Sequence, residues 1–245
     1  MPRYFLEVAY KGTRYSGFQI QQNASTIQSE IEKAFAVLFR NTLSLTGSSR
    51  TDAGVHALQN YFHFDHAEMH PQAVYKLNAI LPDDIVIKGI YEMHESAHCR
   101  FDAVSREYEY KIYRTKNPFL KETAYYYPYA LNTSVMQEAA AFIREQSHFQ
   151  TFSKAHTQVA NYNCTILKSI WVFEKDIITY TVAANRFLRG MVRMLTASML
   201  RLGRGQLTLE QYKNYFINTD RCVFSAPAHG LFLKEVQYKP KYVQQ

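Results

Sequence analysis

The sequence predicts an α+β protein built from two tandem split-βαβ units with mainly antiparallel sheets. Three observations support this class: strand-like and helix-like segments follow the order β-α-β-β-α-β, that order repeats once, and no low-complexity linker separates the halves. A chain of 245 residues with 47% hydrophobic residues can bury one large core or two modest ones. We therefore expect two ferredoxin-like (RRM-like) domains packed as one body.

The first predicted unit, residues 1–104, begins with a strand over residues 3–10 that alternates and is rich in Tyr, Phe and Val. Ser25 and Gln28 have the spacing of a capping box, and apolar residues then recur at helical intervals from Ile27 to Leu38. The other predicted elements are a short strand (43–46), a strand (59–65), a helix opened by proline (71–81) and a strand (84–93).

The second predicted unit, residues 105–245, repeats the same order of elements. It comprises a strand (106–114), a helix (134–145), a hairpin (166–174 with 177–184, turning at 175–176), a helix (187–202) and a strand (231–238). A short extra helix over residues 209–216 is opened by a capping box between Thr208 and Gln211.

The composition favours a polyanionic partner. The chain has 28 Lys and Arg residues against 21 Asp and Glu residues, a formal net charge of +7, and a pI near 9.2. Its 19 tyrosines and 16 phenylalanines suit strand faces in a core and equally suit surfaces on which nucleobases stack. Composition does not separate these two uses of the aromatic residues.

The cysteines and the N-terminus indicate a cytoplasmic, soluble protein. Cys99, Cys164 and Cys222 are widely separated and form no CxxC pair, so neither a disulfide framework nor a cysteine zinc site is indicated. The N-terminus enters a strand pattern at once and lacks the apolar region of a signal peptide. No apolar run approaches the length that crosses a bilayer.

The segment least typical of a scaffold is GSSRTDAGVHA, residues 47–57, which lies between two predicted strands. Its small residues permit tight turns, and Arg50 and Asp52 place opposite charges two residues apart. Loops held by rigid sheets are common homes for functional sites. The residues alone are equally consistent with a polar turn in which Asp52 accepts hydrogen bonds from backbone N–H groups.

This segment resembles the signature GxGRTDAGVHA of the TruA family of tRNA pseudouridine synthases. Further matches follow in family order: YKGT (10–13), YSGFQ (15–19), LN (77–78), LP (81–82), RFDA (100–103), REYEY (106–110), FLRGMVR (187–193) and APAHGL (226–231). The resemblance implies a two-domain fold, isomerisation of uridine in the anticodon stem-loop of tRNA without cofactor or metal, and a homodimer whose cleft binds the tRNA.

Carried over residue by residue, the resemblance makes Asp52 the catalytic aspartate and Tyr108 the ring that stacks on the target uracil. It makes Arg193 the partner of the aspartate's charge and Arg50 a residue that helps to displace the base. We prefer Tyr108 to Tyr110 for stacking because Tyr108 lies in the R-x-Y arrangement, and we do not expect both rings to face one site. The remaining predicted substrate-binding residues are Tyr110, Arg186, Phe187, Leu188 and Arg189.

The arginines of the FLRGMVR segment are open to a second interpretation. On the predicted helix over residues 187–202, Arg189 and Arg193 lie toward a different face from the apolar stripe, and Arg186 precedes them on that side. By spacing alone, this pattern also describes an ordinary solvated basic face.

Three residues depart from the family pattern: Ser49 replaces a usual Gly, Phe18 a usual Trp, and Cys99 a usual Ala. A β-carbon at Ser49 would be costly if the turn required a positive φ. Ser49 is thus the one hint of a rival function, an RNA-binding homologue without catalysis.

The histidines raise a second rival, a metal-dependent hydrolase that uses Asp52 and nearby histidines. His63, His66 and His70 run from a strand end to a helix start without a cysteine, so we predict no metal site there. His56 lies within the signature, but we assign it no catalytic role.

Overall fold

A computed structural model describes residues 1–154, 160–217 and 222–239 and has a mixed α/β architecture. The helices are α1 Ile27–Phe39, α2 Ala73–Ile80, α3 Thr133–Ile143, α4 Met191–Gly203 and α5 Leu209–Asn214. The strands are β1 Arg3–Tyr10, β2 Thr46–Gly47, β3 His56–Asp65, β4 Ile85–Met93, β5 Ala103–Tyr113, β6 Tyr125–Tyr126, β7 Ile166–Phe173, β8 Ile177–Ala184 and β9 Leu231–Tyr238. Within these three ranges, no helix combines the length and the apolar character needed to cross a membrane.

The chain divides into two compact units. One contains Met1–Val104 together with the C-terminal segment from Phe232, and the other is Ser105–Leu231. The last strand is thus grouped with the first unit, whereas the sequence predicts it in the second. The reason is pairing, because β9 lies parallel to β3, with His56 opposite Phe232 and Ala57 opposite Leu233.

The sheet of the first unit has the strand order β4-β1-β3-β9, and β2 pairs with β3. Strand β1 is antiparallel to both β3 and β4. One face carries the main core, where Leu6 and Phe62 are fully buried and Phe35 of α1 packs edge-on against Phe64. The opposite face carries a smaller cluster of Phe5, Ala97 and Cys99, against which Tyr61, Met93 and Tyr238 pack. Both faces of this sheet are therefore covered.

The N-cap of helix α1 is Thr26, one residue later than the predicted cap Ser25. Thr26 has extended backbone angles, and its side chain accepts a hydrogen bond from the Ser29 N–H, while the Ser29 side chain bonds back to Thr26. The predicted partners are used elsewhere: the Ser25 hydroxyl donates to Glu30 and the Gln28 side chain donates to the Leu45 carbonyl. The prediction of Ser25 and Gln28 as the capping box is therefore wrong.

Several other bounds differ from the predicted ones by a few residues. Strand β2 is only two residues long, α2 begins at Ala73 rather than at Pro71, and β3 begins at His56. The early start of β3 matters most, because it places the end of the 47–57 segment on the sheet itself. The predicted bounds of β1, β8 and β9 are confirmed.

In the second unit, β5, β8 and β7 lie in that order and pair antiparallel, and β6 lies parallel to β5. The predicted hairpin is confirmed, because the Glu174 N–H donates to the Ile177 carbonyl across residues 175–176. Trp171 and Tyr180 contact each other in the core with ring centroids 4.9 Å apart. The Thr208 and Gln211 capping box that opens α5 is also confirmed.

Helix α4 begins at Met191, four residues later than predicted. Its N-cap is Gly190, whose φ of 78° lies in the left-handed region that glycine favours. Residues 185–190 therefore form the connection between β8 and α4 rather than a first helical turn. The predicted common helical face of Arg186, Arg189 and Arg193 is wrong, because only Arg193 lies on the helix.

Candidate active site

The 47–57 segment, hereafter the aspartate loop, is held to the sheet by a buried hydrogen-bond network. The Asn60 side chain donates to the Ser49 carbonyl at 2.8 Å and to the Tyr10 hydroxyl at 3.2 Å. Tyr10 in turn shares a 2.8 Å hydrogen bond with the Thr51 hydroxyl. Buried polar groups satisfied in this way rigidify their surroundings. The sequence reasoning missed both Tyr10 and Asn60 as supports of this loop.

The motifs near the N-terminus pack directly against the aspartate loop. The Phe18 N–H donates to the Thr51 carbonyl at 3.1 Å. A β-carbon on Gly17, whose φ is 107°, would lie 3.1 Å from the same carbonyl oxygen, and one on Gly12 would lie 2.0 Å from the Val55 carbonyl oxygen. Both glycines are therefore required for the close approach of two backbones.

The loop contains both buried and accessible residues. Ser48, Ser49 and Thr51 are buried, whereas Arg50 is exposed and Asp52 is half-buried. The Val55 N–H donates to the backbone carbonyl of Asp52 at 3.1 Å, which closes the turn that follows the aspartate. The loop thus presents a cation and a carboxylate from a backbone that the sheet holds in place.

Ser49 and Phe18, which differ from the usual family residues, both fit the structure of this region. Among the described residues, only Asn23 and Arg40 combine a side chain with a positive φ, so Ser49 needs no glycine-like conformation. Its buried hydroxyl lacks a hydrogen-bond partner, which is its one visible cost. Phe18 is buried and stacks on Phe62 with ring centroids 4.5 Å apart.

His56 is a packing residue of the same region. It is buried, its Nδ1 accepts a hydrogen bond from the Gly12 N–H at 3.1 Å, and its ring contacts that of Phe232 at 4.6 Å. These contacts tie the end of the aspartate loop to the YKGT segment and to β9.

In the second unit, Tyr108 and Tyr110 lie on the same face of β5, because residues separated by two positions on a strand share a face. Alternation along the strand therefore does not separate the two rings. Tyr108 is 9% exposed and packs edge-on against Phe187 with centroids 5.1 Å apart. Tyr110 has no exposed surface, and its hydroxyl donates to the Pro227 carbonyl at 2.8 Å. Burial raises the pKa of the Tyr110 hydroxyl well above its ordinary value.

Arg193 lies in the first turn of α4 and is joined to the APAHGL segment. Its Nε donates to the Ala226 carbonyl at 2.7 Å, and the Ala226 N–H donates to the Arg193 carbonyl at 3.0 Å. The direction of its guanidinium is therefore set by backbone. Tyr110 and Arg193 thus hold Pro227 and Ala226, two neighbouring positions of one segment.

The other predicted binding residues flank Gly190 in the connection between β8 and α4. Leu188 is buried, Arg186 and Phe187 are half-buried, and Arg189 is exposed. The Arg189 carbonyl accepts a hydrogen bond from the Lys154 N–H at 3.0 Å. Arg186, Arg189 and Lys154 make this part of the unit basic.

The three histidines considered for a metal do not come together. His66 Nδ1 pairs with the Glu68 carbonyl, and His70 Nδ1 accepts from the Gln72 N–H. Across the described ranges, one set of three His, Cys, Asp or Glu side chains is close enough to share an ion, namely His63, His98 and Cys99. Asp52 is not among them, so the geometry lends no support to a metal-dependent hydrolase at Asp52.

The comparison with family models gives the class of the protein. The family described as tRNA pseudouridine synthase matches residues 7–102 and 146–239, which include the aspartate loop and the FLRGMVR and APAHGL segments. The chain therefore belongs to the TruA family of tRNA pseudouridine synthases.

Individual relatives agree over nearly the whole chain. The chain is 42% identical over 243 residues to tRNA pseudouridine synthase A of Parabacteroides distasonis, covering 97% of this chain and 96% of that protein. It is 38% identical over 242 residues to tRNA pseudouridine synthase A of Azobacteroides pseudotrichonymphae, covering 97% of each. It is 39% identical over 245 residues to the Bacteroides thetaiotaomicron protein of the same name, covering 97% of this chain and 91% of that protein.

Proposed function

We propose that this protein isomerises uridine to pseudouridine in the anticodon stem-loop of tRNA, with Asp52 as the catalytic carboxylate. The observation that carries the proposal is the anchored aspartate loop, which presents Asp52 and Arg50 from a buried network of Tyr10, Thr51 and Asn60. Membership of the family and the identity to tRNA pseudouridine synthases support it.

The reaction rearranges one nucleoside and needs no external reactant. The bond between C1′ of the ribose and N1 of the uracil breaks, the base rotates, and a bond forms between C1′ and C5. The C5 proton leaves and N1 gains one, so atoms and charge balance. The protein must supply a carboxylate that either attacks the nucleoside or removes a proton from it.

Asp52 meets the structural requirements for this role. A carboxylate that attacks the nucleoside or removes a proton from it must be held at a defined position, because small misplacements of reacting groups lower the reaction rate steeply. Its loop is fixed on both flanks, by Asn60 at Ser49 and by the turn between Asp52 and Val55. Its half-buried position leaves the side chain within reach of a ligand.

The resemblance assigns stacking on the uracil to Tyr108 and stabilisation of the carboxylate charge to Arg193. Tyr108 is nearly buried, and its edge-on contact with Phe187 holds the ring in a defined plane. Stacking of one base on such a ring is worth about 1–3 kcal/mol, which offsets the cost of flipping the base from its stack. Arg193 is oriented by Ala226, which suits a directional charge partner. Tyr110 then supports this region through Pro227.

The basic composition supports tRNA as the partner, since a net charge of +7 favours contact with phosphates. Arg186 and Arg189, with Phe187 and Leu188 between them, are proposed to contact the substrate, and Arg50 to help displace the target base. We further propose a homodimer, as the resemblance implies, a cytoplasmic location, as the cysteines indicate, and two tandem split-βαβ domains joined near residue 105, as the order of elements in the sequence indicates.

Pseudouridine mapping of tRNA incubated with the purified protein tests the reaction and its positions together. Asp52→Asn keeps the size of the side chain but loses its charge, so we expect turnover to fall by more than about 100-fold while tRNA affinity changes little. Asp176→Asn, in the exposed turn between β7 and β8, is the matched control and should leave turnover intact.

Pseudouridine outside the anticodon stem-loop would disprove the substrate assignment, and residual turnover above about one per cent in Asp52→Asn would disprove the role of that aspartate. Sedimentation at micromolar concentration tests the dimer, which a purely monomeric boundary would exclude.

A further inference from the structure

We propose that His63, His98 and Cys99 form a binding site for one zinc ion on the face of the first sheet opposite α1 and α2. His63 lies on β3, and the other two residues lie in the segment between β4 and β5. Their candidate ligand atoms all lie within 4.8 Å of one another. A pair of imidazoles with one thiolate is a ligand set that suits zinc.

The distances fit a tetrahedral ion. His63 Nδ1 lies 3.2 Å from Cys99 Sγ. Two ligands held at about 2.1 Å (nitrogen) and about 2.3 Å (sulfur) from zinc in tetrahedral geometry are about 3.6 Å apart. The pair thus needs to open by only a few tenths of an ångström to admit the ion.

Both residues of this pair are shielded from solvent. His63 is 6% exposed and Cys99 is fully buried. The Cys99 thiol donates to the Thr46 carbonyl at 3.2 Å, and on binding zinc it would release that proton to solvent.

His98 closes the cluster from its more exposed side. Its ring lies edge-on to that of His63, with centroids 4.5 Å apart. Its Nδ1 accepts hydrogen bonds from the N–H groups of Arg100 and Phe101 at 3.2 and 3.4 Å. Coordination through Nε2 would move the ring proton to Nδ1 and give up these two long bonds. A half-buried third ligand leaves room for water in the fourth position.

Two carboxylates lie near the cluster. Arg3 is one cation near the cluster, and its guanidinium is paired with Asp65 through two bonds of 2.8 and 2.9 Å. Asp102 accepts a hydrogen bond from the His98 N–H at 2.7 Å and adds a negative charge. Asp65 and Asp102 therefore add negative charge near the position that a dication would take.

The site would be a cross-link within the first unit. It would join β3 to the segment that carries the RFDA motif, next to the cluster of Phe5, Ala97 and Cys99. Alanine, the usual family residue at position 99, cannot ligate a metal, so the site is a property of this chain. The competing interpretation is a metal-free contact between the Cys99 sulfur and the His63 ring.

Metal titration of the full chain distinguishes the two interpretations. After treatment with a chelator, the protein is equilibrated with Zn²⁺ or Co²⁺, and metal content, thiolate-to-cobalt absorption and Tm are measured. We expect about one ion per chain, a charge-transfer band and a higher Tm, because an ion that binds only the folded state stabilises it.

Cys99→Ala restores the usual family residue and should therefore fold. Its affinity for zinc should fall by more than about 100-fold, because losing even a residue that only hydrogen-bonds to a metal ligand costs about 10- to 100-fold in metal affinity. His98→Ala should likewise bind weakly. Cys164→Ala, at a second buried free cysteine, is the matched control and should bind as the unchanged protein does.

Absence of saturable binding in the unchanged protein would overturn the proposal, as would an unaltered stoichiometry and charge-transfer band in Cys99→Ala. Because the measurements are metal content, absorption and Tm, the outcome does not depend on whether the protein forms pseudouridine.

Discussion

Gly12→Ala tests whether the fixed position of the aspartate loop determines catalysis. A β-carbon at Gly12 would lie 2.0 Å from the Val55 carbonyl oxygen and 2.8 Å from the carbonyl carbon of Val55. Both atoms belong to backbone, so no side chain can rotate away to relieve the clash. Gly12 has no positive φ, so the conformation of alanine itself is not the obstacle.

The displacement and its effect can be estimated from these contacts. Carbon and oxygen must separate to more than about 3 Å, so the two segments move apart by about 1 Å. Val55 closes the turn that follows Asp52, through the bond from its N–H to the Asp52 carbonyl. A shift of about 1 Å in a reacting group costs about 100-fold in rate, so we expect a loss of that order. The clash also lowers the free energy of unfolding, by about 1–3 kcal/mol.

Single-turnover release of tritium from uridine-labelled tRNA measures the chemical step, and filter binding measures the affinity for tRNA. Gly205→Ala is the control for stability. Gly205 has a φ of 71°, so alanine there costs about 1–2 kcal/mol, but its β-carbon would meet no atom within 4 Å. We expect both variants to have a lower Tm and only Gly12→Ala to lose the chemical step.

A folded Gly12→Ala protein whose single-turnover rate stays within about threefold of the unchanged protein would refute this reasoning. Equal losses of rate in both glycine variants would refute it too, because the effect would then reflect stability alone.

Three further predictions concern charge. If Arg193 stabilises the Asp52 carboxylate, the acid limb of the single-turnover rate profile should move to higher pH in Arg193→Met. The shift should be smaller in Arg193→Lys, because lysine keeps the charge but loses the guanidinium's fork and its Nε bond to Ala226. Unchanged acid limbs together with weaker tRNA binding would instead make Arg193 a phosphate contact. The affinity for tRNA should fall about tenfold or more between about 50 and 200 mM salt, because bound counterions are released on association, and a flat plot would contradict the proposed partner. Burial opposes ionisation of Asp84, but hydrogen bonds from Arg14 and Tyr15 outweigh it and hold the pKa of Asp84 below its ordinary value. The stability that Asp84 adds is therefore present above about pH 4 and lost as the pH falls further, so acid unfolding of Asp84→Asn should show a smaller dependence on pH in that range.

Local sequence patterns predicted most of the regular structure. The predicted bounds of β1, β8 and β9 agree with the observed ones, because the alternation of a strand has a period of two and involves only neighbouring residues. The start of α4 was not predictable in this way, because the FLRGMVR pattern is helical in period while Gly190 adopts a left-handed φ. The same limit applies to α1, because Ser25 and Thr26 are adjacent hydroxyl residues and either could cap the helix. In the folded chain Thr26 is the cap, whereas the side chains of Ser25 and Gln28 bond to Glu30 and Leu45 instead.

For the site, the sequence by itself determined the family and the aspartate loop, because a run of small residues with Arg50 and Asp52 is contiguous in the chain. Only the tertiary structure decided what holds that loop, since Tyr10 and Asn60 reach it from two different strands. It also brought His63 to Cys99 across 36 positions. Such contacts depend on strand order and register, which arise when distant segments pair and leave no periodic trace in the local sequence.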